Sequence, residues 1–237
     1  MKLSELFRRL SYGELSNLAV GGEGVGTITE PMKPRIVSYA NDALLALHSK
    51  FLLRENILMF KQIEHLTYYY MLKRYAVSQI GVEGACEVPH HYILDSTDEP
   101  FEEDWIKLLS VLDEKGNEIP VNDTEEYTSI YTPQPNLIQV PLPVEGRIFA
   151  MSYQARHPML DYVEGCQEID LPFVLEPALT AFIASKVFSH MNGQENAAKG
   201  QEHMNTFEGV CAQVIDQDLV SQGAPTTLTK FNKRGFV

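Results

Sequence analysis

Residues 171–214 read LPFVLEPALTAFIASKVFSHMNGQENAAKGQEHMNTFEGVCAQV. Leu175, Leu179, Phe182, Ile183, Val187 and Met191 recur at mostly three- and four-residue steps, the period of one helix face. Asn192-Gly193 interrupts the pattern. From Glu195 to about Val220 a second stripe follows through Met204, Phe207, Cys211 and Val214, with Ile215 and Leu219 beside it. Two amphipathic helices joined by so short a turn predict an αα-hairpin. Moving toward the N-terminus, Ile36, Val37, Ala40, Leu44, Leu47 and Phe51 mark one face of a helix from Pro34 to about Lys50, against which the hairpin is expected to pack. Leu3, Leu6, Phe7, Leu10, Leu15 and Leu18 predict one or two short helices, broken at Gly13.

Between these helical ends the texture changes. From about Val88 to Asp161 helical periodicity disappears, and prolines stand at 89, 100, 120, 133, 135, 141, 143 and 158. Trp105–Leu112 reads as a strand, Glu114–Asn117 as a turn and Ile119–Val121 as the start of the return. Thr128–Thr132, Leu137–Val140 and Arg147–Tyr153 give three more short strands, with prolines at edges and turns. Asn56–Leu72, rich in aromatic and β-branched residues, reads as a strand pair turning near Gln62–His65, with helix as the alternative. The expected class is α+β: a helical bundle body, an inserted β-sandwich-like or meander segment, and an extended C-terminal arm. The corresponding divisions are 1–87, 88–165, 166–220 and 221–237.

The chain has 237 residues and a formal net charge of −13, which argues against nonspecific nucleic-acid binding by the whole surface. The charge is uneven. Residues 95–126 hold twelve acids against only Lys107 and Lys115, while the stretch from Ser221 carries Lys230, Lys233 and Arg234 and no acid. An acidic body with a basic tail suits an acidic partner, including another copy of the chain. No apolar run reaches the length of a membrane span, and the N-terminus lacks the apolar core of a secretory signal, so synthesis in the cytoplasm is expected.

The search for chemistry returns weak candidates. Cys86, Cys166 and Cys211 are odd in number and widely spaced, as expected of free thiols. Cys86 with His90 and His91, joined by His157 or Cys166, is the best metal candidate, but a second close ligand pair is missing. Glu102-Glu103-Asp104 offers carboxylates in a row, and Trp105 beside them reads as core or interface. The glycine-rich run at 21–26 lacks the Lys-Ser/Thr of a phosphate-binding loop and reads as a linker. No catalytic residue, metal or cofactor is assigned; the expectation is a protein that is not an enzyme.

The order KLSELFRRLSYGELSNLAV, then PRIVSYANDALLALHSKFLL, then PNLIQVPLPVEGRIFAMSYQARHP, and last the 171–214 segment resembles the head-to-tail adaptors (connector, or tail tubular A-like proteins) of tailed bacteriophages. The last segment carries the resemblance best, through its small-residue helix and the Met-Asn-Gly turn. The resemblance implies a ring, typically a dodecamer, beneath the portal at the head–tail junction of the virion. Such a ring extends the DNA channel, passes DNA without binding it specifically, and joins the portal protein to the next tail or nozzle protein. It implies further that Leu179, Phe182, Ile183 and Phe207 pack subunits together. An arm carrying Leu228, Lys230, Phe231, Lys233, Arg234 and Phe236 would dock on the portal. A stopper or tail-terminator ring is the neighbouring alternative, and a metal-dependent binding module the more distant one.

Overall fold

The computed structural model describes residues 1–20, 24, 26–82, 88–162 and 167–220. Among these, four α-helices and seven β-strands run in chain order: α1 Leu3–Tyr12, α2 Lys33–Lys50, β1 Glu55–Lys61, β2 Tyr68–Tyr70, β3 Ile93–Leu94, β4 Trp105–Leu112, β5 Tyr131–Gln134, β6 Leu137–Gln139, β7 Ile148–Ala155, α3 Glu176–Ser189 and α4 Gln194–Asp216. The class is α+β. Two compact units divide the chain, one built from Met1–Ala43 and Leu160–Val237, the other from Leu44–Met159.

In the first unit, α3 is apolar around its circumference and buries ten of its fourteen residues, so it forms the centre of that unit's core. Pro177 occupies its first turn, where a missing N–H costs nothing. The following helix, α4, buries only Gly200, Phe207, Cys211 and Val214, a single stripe laid along α3. Phe182 and Phe207 meet edge to face with centroids 5.2 Å apart. Met204 is half-buried, and Ile215 and Leu219 are exposed, so the second apolar stripe is narrower than expected. Leu3, Leu6 and Leu10 anchor α1, and the chain start is bridged to residues 167–169 through Leu3 N–H to Gln167 O (3.1 Å) and Ile169 N–H to Met1 O (2.7 Å).

The second unit holds two antiparallel sheets, ordered β3-β1-β7-β4 and β2-β6-β5. Seven residue pairs join β1 to β7, from Glu55↔Gln154 to Lys61↔Ile148. The alternation of β1 turns Leu58 and Phe60 inward and leaves Ile57 and Met59 exposed. Phe60 touches Phe149 (5.6 Å) and Tyr69 (5.1 Å), so one core joins the two sheets.

Two sequence expectations change here. Residues 55–61 and 68–70 are strands, but they do not pair with each other; they enter different sheets. The reason lies at Gln62, which is fully buried and clamped to the approach to β7. Its N–H donates to Arg147 O (2.7 Å), its carbonyl accepts from Gly146 (3.0 Å) and its Oε1 accepts from Val144 N–H (2.8 Å). The β-rich unit accordingly starts at Leu44, well before the 88–165 segment, and takes in residues first assigned to the N-terminal division.

Gly200 marks a close approach of α4 to α3. A Cβ there would lie 2.7 Å from Ser189 Oγ, 3.2 Å from Ser189 N and 3.3 Å from Ser185 O, whereas a Cβ on Gly209 meets nothing within 4 Å. Alanine should therefore act oppositely at the two helical glycines. Gly209→Ala is expected to stabilise by about 0.5–1 kcal/mol through backbone entropy, and Gly200→Ala to destabilise by about 1–2 kcal/mol through overpacking. Thermal melts of the two variants test this, and a rise in Tm for both would show that the hairpin tolerates a wider spacing.

Candidate interaction surfaces

The acids and histidines singled out in the sequence disperse in space. Glu102 pairs with Lys73 Nζ at 3.4 Å, Glu103 accepts the Lys73 backbone N–H, and Asp104 turns inward. Asp104 accepts hydrogen bonds from the Tyr153 hydroxyl and the Asn56 side-chain amide, each at 2.7 Å, which ties β1, β4 and β7 together through one carboxylate. Burial, with the neighbouring Asp104, pushes the Tyr153 phenol above its ordinary range. Trp105 stacks on Tyr153 at 4.7 Å and donates its indole N–H to Pro135 O at 2.8 Å, an intramolecular anchor. His91 Nδ1 lies 3.0 Å from Ala76 O, His90 is exposed, and His157 sits edge-on to His48 with ring centroids 5.7 Å apart. Cys86 and Cys166 lie outside the described residues. Among the described residues no group of three or more His, Cys, Asp or Glu is placed to hold a metal, and no helix is long and apolar enough to cross a membrane.

The residues assigned to subunit packing need correction. Leu179 and Ile183 are fully buried, Phe207 is 2% exposed and Phe182 9%, all within the core of their own chain. A side chain with no free surface cannot form a contact between copies. The arm residues Leu228, Lys230, Phe231, Lys233, Arg234 and Phe236 lie outside the described residues.

What the first unit offers instead is α1. Burying Leu3, Leu6 and Leu10 turns Arg8, Arg9 and Tyr12 to the opposite side of the helix. Arg9 is engaged, bonding Glu5 (3.1 Å) and Glu176 in the first turn of α3. Arg8 has no ion pair among the described residues, and Tyr12 is 83% exposed, the most exposed large hydrophobic side chain described. The two form a ridge between two grooves. One is floored by Glu14, Pro177 and Thr180, the other by Ser11, Ser16 and Thr27. Gly26, at φ +78°, lets the chain pass over the carbonyls of Ser11 and Ser16, which a Cβ would meet at 3.3 and 3.2 Å. An apolar cleft of about 140 Å³ lies elsewhere in this unit, among Ile36, Tyr39, Val187 and Met191. That is below the roughly 300 Å³ of an ordinary ligand pocket.

On the β-rich unit a second presenting surface is the loop before β5. Ser129 is buried and organises it: its hydroxyl accepts from Asp123 N–H (3.0 Å) and donates to Pro120 O (3.2 Å), while its N–H donates to Glu126 O (3.1 Å). Glu125, Glu126 and Tyr127 are left outside, with Tyr127 80% exposed. Each surface thus carries an exposed tyrosine beside a charge with no ion pair among the described residues, and tyrosine and arginine are enriched at the energetic centres of protein contacts. Sequence periodicity alone gives no sign of either surface, because it counts apolar residues without saying which ones lie off the buried stripe. No protein family matches the chain, and no curated protein is similar to it.

Asp95 offers a test of how the β-rich unit is held. Its carboxylate accepts from Ser78 N–H (2.8 Å), the Ser78 hydroxyl and Phe101 N–H (2.9 Å). Burial works to raise its pKa, but these hydrogen bonds prevail and hold the carboxyl below the ordinary aspartate range. A native pKa below the unfolded value gives stabilisation that is complete above the unfolded pKa of about 3.9 and fades as pH falls through the native one. Asp95→Ala should cost about 1–3 kcal/mol at pH 7, and less at pH 3, in urea denaturation at the two pH values. Equal losses at both would mean that the carboxylate's charge plays no part.

Proposed function

We propose that this chain is a structural virion protein, a head-to-tail adaptor whose copies form a ring beneath the portal. The ring extends the DNA channel and joins the capsid to the tail. The observation that supports this reading best is the way the chain ends are used. Residues 1–43 and those from 160 onward build one helical unit, and the β-rich unit 44–159 is inserted between them. In the proposed adaptor the first is the helical bundle body and the second its β-sandwich-like insertion, the arrangement that the resemblance to phage adaptors implies.

Several physical features agree with a part that assembles. The acids at 95–126 make an anionic surface, and like-charge repulsion along a channel would keep passing DNA from adhering. Both units expose tyrosine beside charge on rigid backbone, which suits heterologous contact in a closed ring. The acid-free segment from Ser221, with Leu228, Phe231 and Phe236 among its basic residues, is the proposed grip on the portal, acting by folding on its partner. Copies of the chain, the portal protein and the next tail or nozzle protein are the partners in this reading, and the dodecamer is its expected ring.

Electron microscopy of the particle tests the assignment: density for this chain is expected as a ring directly beneath the portal. A position further along the tail would instead make it a stopper or terminator ring. Deleting residues 221–237 should weaken co-sedimentation with the portal of the same phage by tenfold or more, taken as about 1.4 kcal/mol, while circular dichroism of the shortened chain stays that of the full one. Undiminished portal attachment would remove the arm from the proposal.

A further inference from the structure

We infer that neighbouring copies meet through two different patches: the Arg8–Tyr12 ridge of one copy seats the Glu125-Glu126-Tyr127 loop of the next. The inference rests on the ring reading above and names the residues that close it.

Charge decides which surfaces can serve. Among the seven described lysines and arginines of the helical unit, five are already engaged: Arg9 by Glu5 and Glu176, Lys33 by Glu30, Lys186 by Asp42, Lys199 by Glu195, and Arg35 by the Tyr39 hydroxyl. Lys2 and Arg8 are not, and of the two Arg8 stands one helical turn from the exposed ring of Tyr12. Within the acidic segment the same sorting leaves few choices. Asp95 is held by Ser78 and Phe101, Glu102 and Glu103 are held at Lys73, and Asp104 is buried. Asp113 accepts from Lys115 and Asn117, Glu114 accepts from Ile148 N–H, and Asp123 accepts from Glu125 N–H. Asp98, Glu99 and Glu118 carry no ion pair among the described residues, but no strongly exposed aromatic residue is next to them in sequence. Glu125 and Glu126 have no ion pair among the described residues and adjoin Tyr127.

The two patches therefore match in sign, and each adds a tyrosine whose ring is largely in solvent. Guanidinium against an aromatic face, and carboxylate against guanidinium, favour bringing them together. Both are preorganised: α1 is fixed by three buried leucines, and the loop is fixed by Ser129. Ordering them on contact costs little entropy. Because the patches differ, the contact can repeat head to tail from copy to copy, and it builds a ring if the rotation closes. A two-fold dimer would pair the same patches reciprocally, so the ring rather than the dimer follows from the reading above.

The test is a charge exchange in the full chain, read by sedimentation velocity at low and high salt. Arg8→Glu is expected to weaken self-association about tenfold or more, as is the double change Glu125→Arg with Glu126→Arg. All three changes together in one chain should bring association back to within about threefold of the original. Raising salt to 1 M, where the screening length falls to about 3 Å, should weaken the original chain and the triple variant alike. These side chains are solvent-facing, so circular dichroism should show every variant folded. As a second readout, Tyr12→Cys with Tyr127→Cys in the same chain should give an oxidation ladder of linked copies that neither single variant gives. Rings that persist unchanged in all charge variants, with no ladder, would overturn this contact and leave the ring standing. A chain that stays monomeric at every concentration, both alone and with the portal, would remove the ring and the contact together.

Discussion

Strand β7 has to satisfy its backbone on both edges, and the β-rich unit is organised by that requirement. Its N–H and C=O groups are met by β1 on one side and β4 on the other. Residues 55–61, 105–112 and 148–155, far apart in the chain, are thereby locked into one sheet. Hydrogen bonds between strands are individually modest in net terms, but a buried strand left unpaired would lose several of them at once. The Asn56–Asp104–Tyr153 cluster reinforces the same three strands from their side chains. Although it lies at 148–155, β7 also explains why the unit cannot be cut at residue 88: its longest ladder reaches back to Glu55.

Much of this was legible in the sequence, and the limits were physical. Helices announced themselves because burial along a helix recurs locally, within one or two turns, so α2, α3 and α4 lie where the periodicity places them. Strand positions were legible for the same reason: β4, β6 and β7 fall on the expected apolar runs. Pairing was not legible, since partner choice depends on contacts far away in the chain. The six residues from Gln62 to Thr67 could close a hairpin by length. What they do instead is decided by Gln62 meeting Val144, Gly146 and Arg147.

Surfaces were read least well, and α3 shows why. A stripe on a helix marks the side that is covered, but it does not say by what. Leu179, Phe182 and Ile183 fit an interface stripe as well as a core one, and α3 is so apolar all round that its own chain covers nearly all of it. Tyr12 sits off the stripe of a helix whose buried face is complete without it, and Tyr127 sits in a loop with no period at all. The informative feature is an aromatic side chain left in water beside a charge that has no partner, and only the folded chain shows which ones those are.

In the ring proposed above, a chain with a formal charge of −13 would face a constraint of its own. Each added copy would bring more negative charge into that ring, and self-repulsion would oppose closure unless it were offset where copies touch. Uniformly distributed lysines would relieve the repulsion but would also let DNA adhere to the channel. Most of the described cations of the helical unit are instead engaged inside the unit, as Arg9 is between Glu5 and Glu176, so they neutralise their own chain without presenting a positive field. A single unpaired arginine beside a tyrosine is a different kind of feature: small, local and directional. Placed against two acids of the next copy, it removes charge at the seam and leaves the rest of the acidic surface as it is. An acidic ring is easier to build from that combination than from general neutralisation, because contact and repulsion then occupy different residues.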